Sequence, residues 1–300
     1  MKNAAGSLAA FGASVTWAYA TTRYARVSCE VGSVRVNYAR ALVAFPTFFA
    51  LGLVLHGPRL LSGVTLAALP WLVVSVLSSY AFGDAVFLTA ARHTGVTTAL
   101  AIASTYPLWA TLFGAFVSGE PLGGARALGT LLSVAGVVWL VRLSSHGRVS
   151  GSTSAPRDPM GVVLAILASV LWAVNSVSVK RAALGLDVFQ VNAARYGLAL
   201  AFLHLQVRRS PGLPSSPSAG WKSVLPALIA DAVFGSLFYV YGLSHTDLAV
   251  GATLSALAPL ISVPVAIALG EERWSAPRFL AVAVTVGGVA VLVGGGAGGW

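Results

Sequence analysis

Acidic residues are scarce in this sequence: nine Asp and Glu in 300 residues, against 19 Lys and Arg, with all charged types together at 9%. A water-facing globular surface takes roughly 25% charged residues, so most of this chain's surface must face lipid. A single cysteine, Cys29, excludes an intramolecular disulfide framework and any multi-cysteine metal site. No G-x-x-x-x-G-K-[ST] stretch occurs, so ATP is not the expected energy source. His93 and His245 have no second histidine at ligand spacing, and neither a metal nor a cofactor is expected. An intramembrane enzyme would need paired acids, Ser with His, or a metal cluster at membrane depth. Asp84 and Asp231 lie in non-equivalent apolar runs with no second acid within a helical turn of either, so enzymatic activity is not expected.

What the sequence does contain is apolar runs, and 57% of its residues are hydrophobic. The runs fall at about 4–22, 36–55, 64–90, 95–118, 124–142, 160–179, 189–207, 223–243, 248–270 and 276–295. A helix crossing a bilayer needs about 20 such residues, so the expectation is an all-α integral membrane protein with ten transmembrane helices. The net charge of +10 sits between the runs, as headgroup-flanking charges do, and no nucleic-acid partner is expected. Two joints are longer and rich in Ser, Gly and Pro: "RLSSHGRVSGSTSAPRDP" (142–159) and "RRSPGLPSSPSAGWK" (208–222). The first lies at the midpoint and divides the chain into a unit at 1–142, a linker at 143–159 and a unit at 160–300.

The two units repeat one another. "ASVTWAYAT" (13–21) and "ASVLWAVNS" (168–176) coincide at an offset of 155, as do Gly6/Gly161, Arg26/Arg181, Asn37/Asn192 and Arg40/Arg195. Further on the offset becomes 152, pairing His93/His245, Pro107/Pro259, Glu120/Glu272 and Gly136/Gly288. Lys2, the first apolar run and "AYA" (18–20) imitate a cleavable leader, but the repeat makes that run a structural span. Five spans per unit put the second unit into the membrane from the opposite side. The halves are then inverted, a pattern typical of secondary transporters with substrate bound at the repeat interface. The distribution of Lys and Arg over the joints predicts both termini outside.

"LWAVNSVSVKRA" (171–182), "NAARYGLAL" (192–200) and "LSALAPLISVPVAIALGEERWSAPRFLAVAVTVGGVAVLV" (254–293) resemble the EamA-type domain of the drug/metabolite transporter superfamily. "TYPLWATLFGAFVSGEPL" (105–122) is the best part of a weaker copy in the first half. The family often has Gly after the Trp of the first helix, where this chain has Ala18 and Ala173. The resemblance implies two five-helix domains, a carrier for small metabolites with amino acids among the commoner substrates, residence in a bacterial inner membrane, and cytoplasmic termini. The preferred reading is amino-acid export by alternating access. Carriers for nucleobases, sugar phosphates or cationic drugs, and a receptor, are the alternatives.

Ser14, Trp17 and Thr21 share one helical face, and Ser169, Trp172 and Ser176 repeat it. Lipid has no use for hydroxyls, so these faces turn toward protein or a cavity, with Trp17 and Trp172 as walls; helix packing or an interfacial belt is the plainer alternative. A chiral substrate needs groups that differ between halves. Asn175 stands opposite Ala20, Tyr106 and Trp109 opposite Ala258 and Ile261, and, aligned through Pro70/Pro226, Tyr80 opposite Ser236. In the same alignment Asp231 stands opposite Ser75 and Asp84 opposite Val240. An intramembrane carboxylate costs about 2.5–3.5 kcal/mol, so Asp231 holds a substrate amine, a coupling proton, or an internal partner such as Arg. The candidate substrate-binding set is Trp17, Trp172, Asn175, Tyr80, Asp84, Tyr106, Trp109, Asp231 and Tyr239, with protons as the possible coupling ion. Arg40 and Arg195 are read as helix-end residues snorkelling to the interface, and Glu120 and Glu272 as joint residues.

Overall fold

A computed structural model describes residues 2–94, 96–145, 158–209, 214–261 and 275–296, and among them every regular element is helical. The first unit contains α1 (Lys2–Val31), α2 (Ser33–His56), α3 (Leu69–Val76), α4 (Gly83–Thr94), α5 (Val96–Ala103), α6 (Tyr106–Ser118) and α7 (Gly124–Ser145). The second contains α8 (Pro159–Ala182), α9 (Val188–Arg208), α10 (Trp221–Leu228), α11 (Ser236–His245), α12 (Leu248–Ser255) and α13 (Ala276–Gly296). The ninth apolar run beyond Ile261, Glu272 and most of the linker lie outside the described residues.

The boundaries follow from local chemistry. Gly32, at φ 78°, joins α1 to α2 through a single residue, a conformation that costs glycine nothing. Asp158 caps α8 by accepting the Met160 N–H, with Pro159 in the first turn. Asp187 accepts from Phe189 and Gln190 while Gln190 reaches back to the Asp187 N–H, a reciprocal capping box. Pro107 does not kink a continuous helix: the chain turns at Ser104 and Thr105, and Pro107 lies in the first turn of α6, where its missing N–H is harmless.

Six stretches are long and apolar enough to cross a membrane: Ser33–Arg59, Leu69–Ala91, Gly124–Leu143, Pro159–Ala182, Trp221–His245 and Ala276–Gly294. A shorter apolar helix runs over Leu248–Ile261. At 30 and 21 residues, α1 and α9 are long enough as well but are diluted by Ser, Thr, Trp and Tyr in one and Gln, Asn, Arg and His in the other. They fall short of a simple apolar stretch because they carry the polar residues that the fold turns inward.

The helices pack in matching pairs. α2 lies along α9 and α7 along α13, each helix against its counterpart, while α1 on α11 matches α8 on α4. Glycines set the α7–α13 seam. A Cβ at Gly136 would stand 2.3 Å from Thr285 Oγ1, and one at Gly288 would stand 2.4 Å from the Ser133 nitrogen, so the backbones touch, as small residues allow inside membranes. Gly294, in the same glycine-rich tail, faces open space. The third run of each half contains a π-helical turn, Leu77–Ala81 and Ile229–Gly235. The alignment of Pro70 with Pro226 makes the two turns overlap. A π turn re-aims side chains within a helix and is frequent at functional sites.

Candidate functional site

The polar residues of α1, α2, α9 and the two π turns meet in the interior. Asp231, the third residue of the second π turn, is almost fully buried. Its Oδ2 lies 2.6 Å from Arg40 Nε and its Oδ1 3.3 Å from Arg40 Nη2, an ion pair between the two units. The Tyr24 hydroxyl donates to Asp231 Oδ2 at 3.0 Å. Arg40 also donates to Asn37 Oδ1 at 2.9 Å, and Asn37 donates to Asp84 Oδ2 at 2.7 Å. Asp84 lies 3.9 Å from Arg40 Nη1. One guanidinium therefore collects both intramembrane acids, though 147 residues separate them in sequence.

A second cluster repeats the first with its charges changed. Arg195 donates from Nε to Ser75 Oγ at 2.9 Å and from Nη2 to Asn175 Oδ1 at 3.0 Å. Ser75 is the counterpart of Asp231, so Arg195 on Ser75 is the image of Arg40 on Asp231. Asn37 donating to the Tyr80 carbonyl at 3.4 Å matches Asn192 donating to the Ser236 carbonyl at 3.4 Å. Both guanidiniums lie near the Tyr80 ring, 5.2 Å from its centre for Arg40 and 5.7 Å for Arg195, within cation–π range.

The expectation that Arg40 and Arg195 snorkel is wrong. Each is the eighth residue of its helix, about 10 Å inside the helix start at 1.5 Å per residue. Arg195 is 2% exposed. They face inward because acceptors await them there.

The aromatic candidates lie in the interior, packed on one another. Trp17 packs on Tyr239 with ring centres 5.2 Å apart, and Trp172 on Phe87 at 5.3 Å and edge-on to Tyr106 at 6.3 Å. Tyr239 accepts from Asn175 at 3.1 Å and bonds Ser176 Oγ at 2.8 Å; Tyr106 donates to the Ala252 carbonyl at 2.9 Å. Ser14, Ser169 and Ser176 are buried on the inner faces of α1 and α8, while the side chain of Thr21 lies outside the described residues. Trp109 packs in the apolar cluster that includes Tyr106 and Trp172. The anticipated central cavity is, in this conformation, packed with these side chains: Tyr80, Asn175, Arg195, Asp231 and Tyr239 are all buried. Tyr24, Asn37, Arg40, Ser75 and Arg195 were not in the candidate set. The available signal was the Asn-x-x-Arg spacing at 37–40 and 192–195, present in both halves.

One end of the bundle is clasped between the units. Glu120 pairs with Lys180 at 2.7 Å and accepts the Leu248 N–H at 2.7 Å, filling the start of α12. Arg126 pairs with Asp247, His56 with Asp187, and Gln190 donates to the Leu60 carbonyl at 3.0 Å. At the other end, His93 hydrogen-bonds Asp158, and this contact together with the Met160 N–H holds the Asp158 carboxyl below its ordinary range.

A family model described as the EamA-like transporter family matches residues 4–142 and 159–294. The aromatic amino acid exporter YddG of Ancylobacter novellus is 30% identical over 196 residues, 63% of this chain and 64% of that protein. An uncharacterized transporter of Archaeoglobus fulgidus is 28% identical over 162 residues, 54% of this chain and 53% of that one. The match thus spans less than two thirds of either relative's length. A crystal structure described only as that of a protein is similar with a TM-score of 0.75 at 24% identity, over 96% of both chains, a likeness of fold alone.

Proposed function

The chain belongs to the EamA-like transporter family; it is an integral membrane transporter and not an enzyme, and from that premise we propose that it exports amino acids, aromatic ones foremost. Ten spans form two inverted units, 1–142 and 160–300 joined by the linker 143–159, and they rock about a site between them by alternating access. Its place is the plasma membrane. The matched packing of α1 on α11 and α4 on α8, and the twin π turns, support the inverted relation. The observation that carries the reading is the Arg40–Asp231 ion pair with Asp84, buried between the units at about mid-helix. Polar groups at that depth mark substrate or ion pathways. The interior's aromatic rings, Trp17, Trp172, Tyr80, Tyr106, Trp109 and Tyr239, supply stacking surface for a flat side chain. Asn175 and Asp231, with Asp84, supply polar contacts and a place for a coupling proton. The name of the Ancylobacter novellus relative supports the aromatic preference.

The test is uptake and efflux in proteoliposomes with a panel of amino acids, with and without a pH gradient. L-phenylalanine, L-tyrosine and L-tryptophan move faster than aliphatic amino acids, and Asp231→Asn and Trp172→Ala each cut that flux at least tenfold, about 1.4 kcal/mol in transition-state terms. Absence of flux for every amino acid, or flux untouched by both substitutions in folded protein, overturns the reading.

A further inference from the structure

The two buried arginines are equivalent in the fold and unequal in charge balance. Arg40 has both intramembrane acids: Asp231 at 2.6 Å and Asp84 at 3.9 Å. Arg195, 2% exposed, has a hydroxyl, an amide oxygen and the Tyr80 ring. Among the described residues no carboxylate lies within ion-pair distance of it. The position that supplies the acid in one half, Asp231, is Ser75 in the other. A guanidinium always keeps its charge, and a buried charge without a counterion is costly.

We propose that Arg195 is the receptor for a substrate carboxylate, so that the substrate brings the counterion that Ser75 does not. The inference rests on the transporter reading above and sharpens it: the cargo is a carboxylate-bearing small molecule, of which an α-amino acid is one. Asn175 is the second recognising group, because it bonds Arg195 through Oδ1 and Tyr239 through Nδ2. On binding, the carboxylate takes the Nε and Nη2 donors now held by Ser75 and Asn175, forming the bidentate pair that a guanidinium fork favours. The freed Asn175 amide then remains beside the ligand. The adjacent rings of Tyr239, Trp17 and Tyr80 accept the rest of the molecule. Arg40 is unsuited to this role, since a ligand carboxylate there would first have to displace Asp231.

The experiment follows the thermal unfolding of the full chain in detergent with three probes: phenylacetate (carboxylate only), phenethylamine (ammonium only) and L-phenylalanine. Phenylacetate and L-phenylalanine raise the unfolding temperature and phenethylamine does not. In Arg195→Gln the affinity for phenylacetate falls roughly 10- to 100-fold, the range for lost hydrogen bonds to a charged group. Ser75→Asp is the second variant. It gives Arg195 an internal counterion as Asp231 does for Arg40, and so closes the site to phenylacetate by the same order without removing the buried cation. Equal stabilisation of the wild type by phenethylamine, no stabilisation by phenylacetate, or unchanged phenylacetate affinity in both variants overturns the assignment. Flux of L-phenylalanine in proteoliposomes reports on the transport reading separately. Phenylacetate binding without any amino-acid flux removes the amino-acid reading and keeps Arg195. Flux that carries phenethylamine as well as L-phenylalanine keeps transport and removes Arg195.

Discussion

Removing the carboxylate of Asp231 while keeping its shape, as in Asp231→Asn, isolates what the ion pair between the units contributes. Breaking a buried pair by deleting one partner costs about 3–5 kcal/mol, because the other charge is stranded. The local geometry places this case at the low end. Arg40 retains Asn37 Oδ1 at 2.9 Å and Asp84 at 3.9 Å, and the Arg40 side chain is 16% exposed. The amide oxygen left at position 231 also still accepts a neutral hydrogen bond from Tyr24. A loss of about 3 kcal/mol at 2–4 °C per kcal/mol, the scale for larger domains, lowers the unfolding midpoint by about 6–12 °C. Tryptophan fluorescence during a thermal ramp in detergent, at fixed protein concentration, reads it directly. The double variant Arg40→Met/Asp231→Asn removes both charges of the pair, leaves Asp84 with its Asn37 hydrogen bond, and is destabilised less than the sum of the two single variants. Closing the cycle with Arg40→Met alone gives a coupling above about 1.5 kcal/mol, as residues in one network show. A midpoint shift under about 2 °C for Asp231→Asn, or a double variant as unstable as the sum of the singles, refutes the view that Arg40 and Asp231 form one electrostatic unit.

Three other perturbations test the frame around that unit. Gly136→Leu drives atoms into Thr285 and its backbone, where even a Cβ stands 2.3 Å from Oγ1; overpacking of this kind costs about 1–3 kcal/mol or more, whereas Gly294→Ala, with nothing within 4 Å, leaves the melting temperature of purified protein unchanged. Glu120→Gln removes the charge from the Lys180 pair but keeps an acceptor for Leu248 N–H, so a loss of about 1–2 kcal/mol is expected together with faster labelling of a cysteine placed at Asp247. Asp158 has its carboxyl held low, first by the His93 hydrogen bond and then by the Met160 N–H. Its stabilising contribution is therefore complete above the ordinary value of 3.8 and lost as pH falls through the lower folded value. Asp158→Asn consequently melts below wild type at pH 7, and the difference closes as unfolding is measured at progressively more acidic pH.

The sequence made some parts of this fold legible and hid others for identifiable reasons. Helices announced themselves because lipid demands long apolar runs, and the repeat did so because "ASVTWAYAT" and "ASVLWAVNS" survive in register. Trp17 and Trp172 were found by face and symmetry, and each packs in the interior on residues of the other unit, Tyr239 and Phe87. The partner of Asp231 was not found. Periodicity reports which face a residue occupies on its own helix but not which helix lies opposite, and Arg40 is 191 residues away in sequence. Arg40 and Arg195 were misplaced because apolar runs beginning near 36 and 189 put both close to a helix end. The helix carrying Arg40 begins three residues earlier, at Ser33; α9 begins at Val188, where its run does, and there an Arg seven residues in was read as terminal although its acceptors lie on other helices. The π turns left no trace, since an extra residue in a helical turn needs no particular side chain.

A duplicated unit begins with two of everything, and an exact two-fold site would treat both ends of a ligand alike. This chain departs from that at many positions, and around the two arginines the departures change charge. Asn37/Asn192 and Arg40/Arg195 remain paired, so both halves keep the same cation and the same amide hung on the carbonyl of a π-turned or adjoining helix. The acids differ: Asp231 against Ser75, Asp84 against Val240. With cations shared and acids on one side, the interior has one end where two carboxyl groups face one guanidinium and another where a guanidinium has, among the described residues, no carboxylate within ion-pair distance. Under the proposal for Arg195, that asymmetry gives a ligand carboxylate one end to face without any difference in backbone. Tyr80 stands near both guanidiniums, with Ser236 as its counterpart, so the ring between the two ends is itself unpaired. The asymmetry around the two arginines therefore comes from two carboxyl groups and one ring, while Asn37/Asn192 and Arg40/Arg195 stay alike.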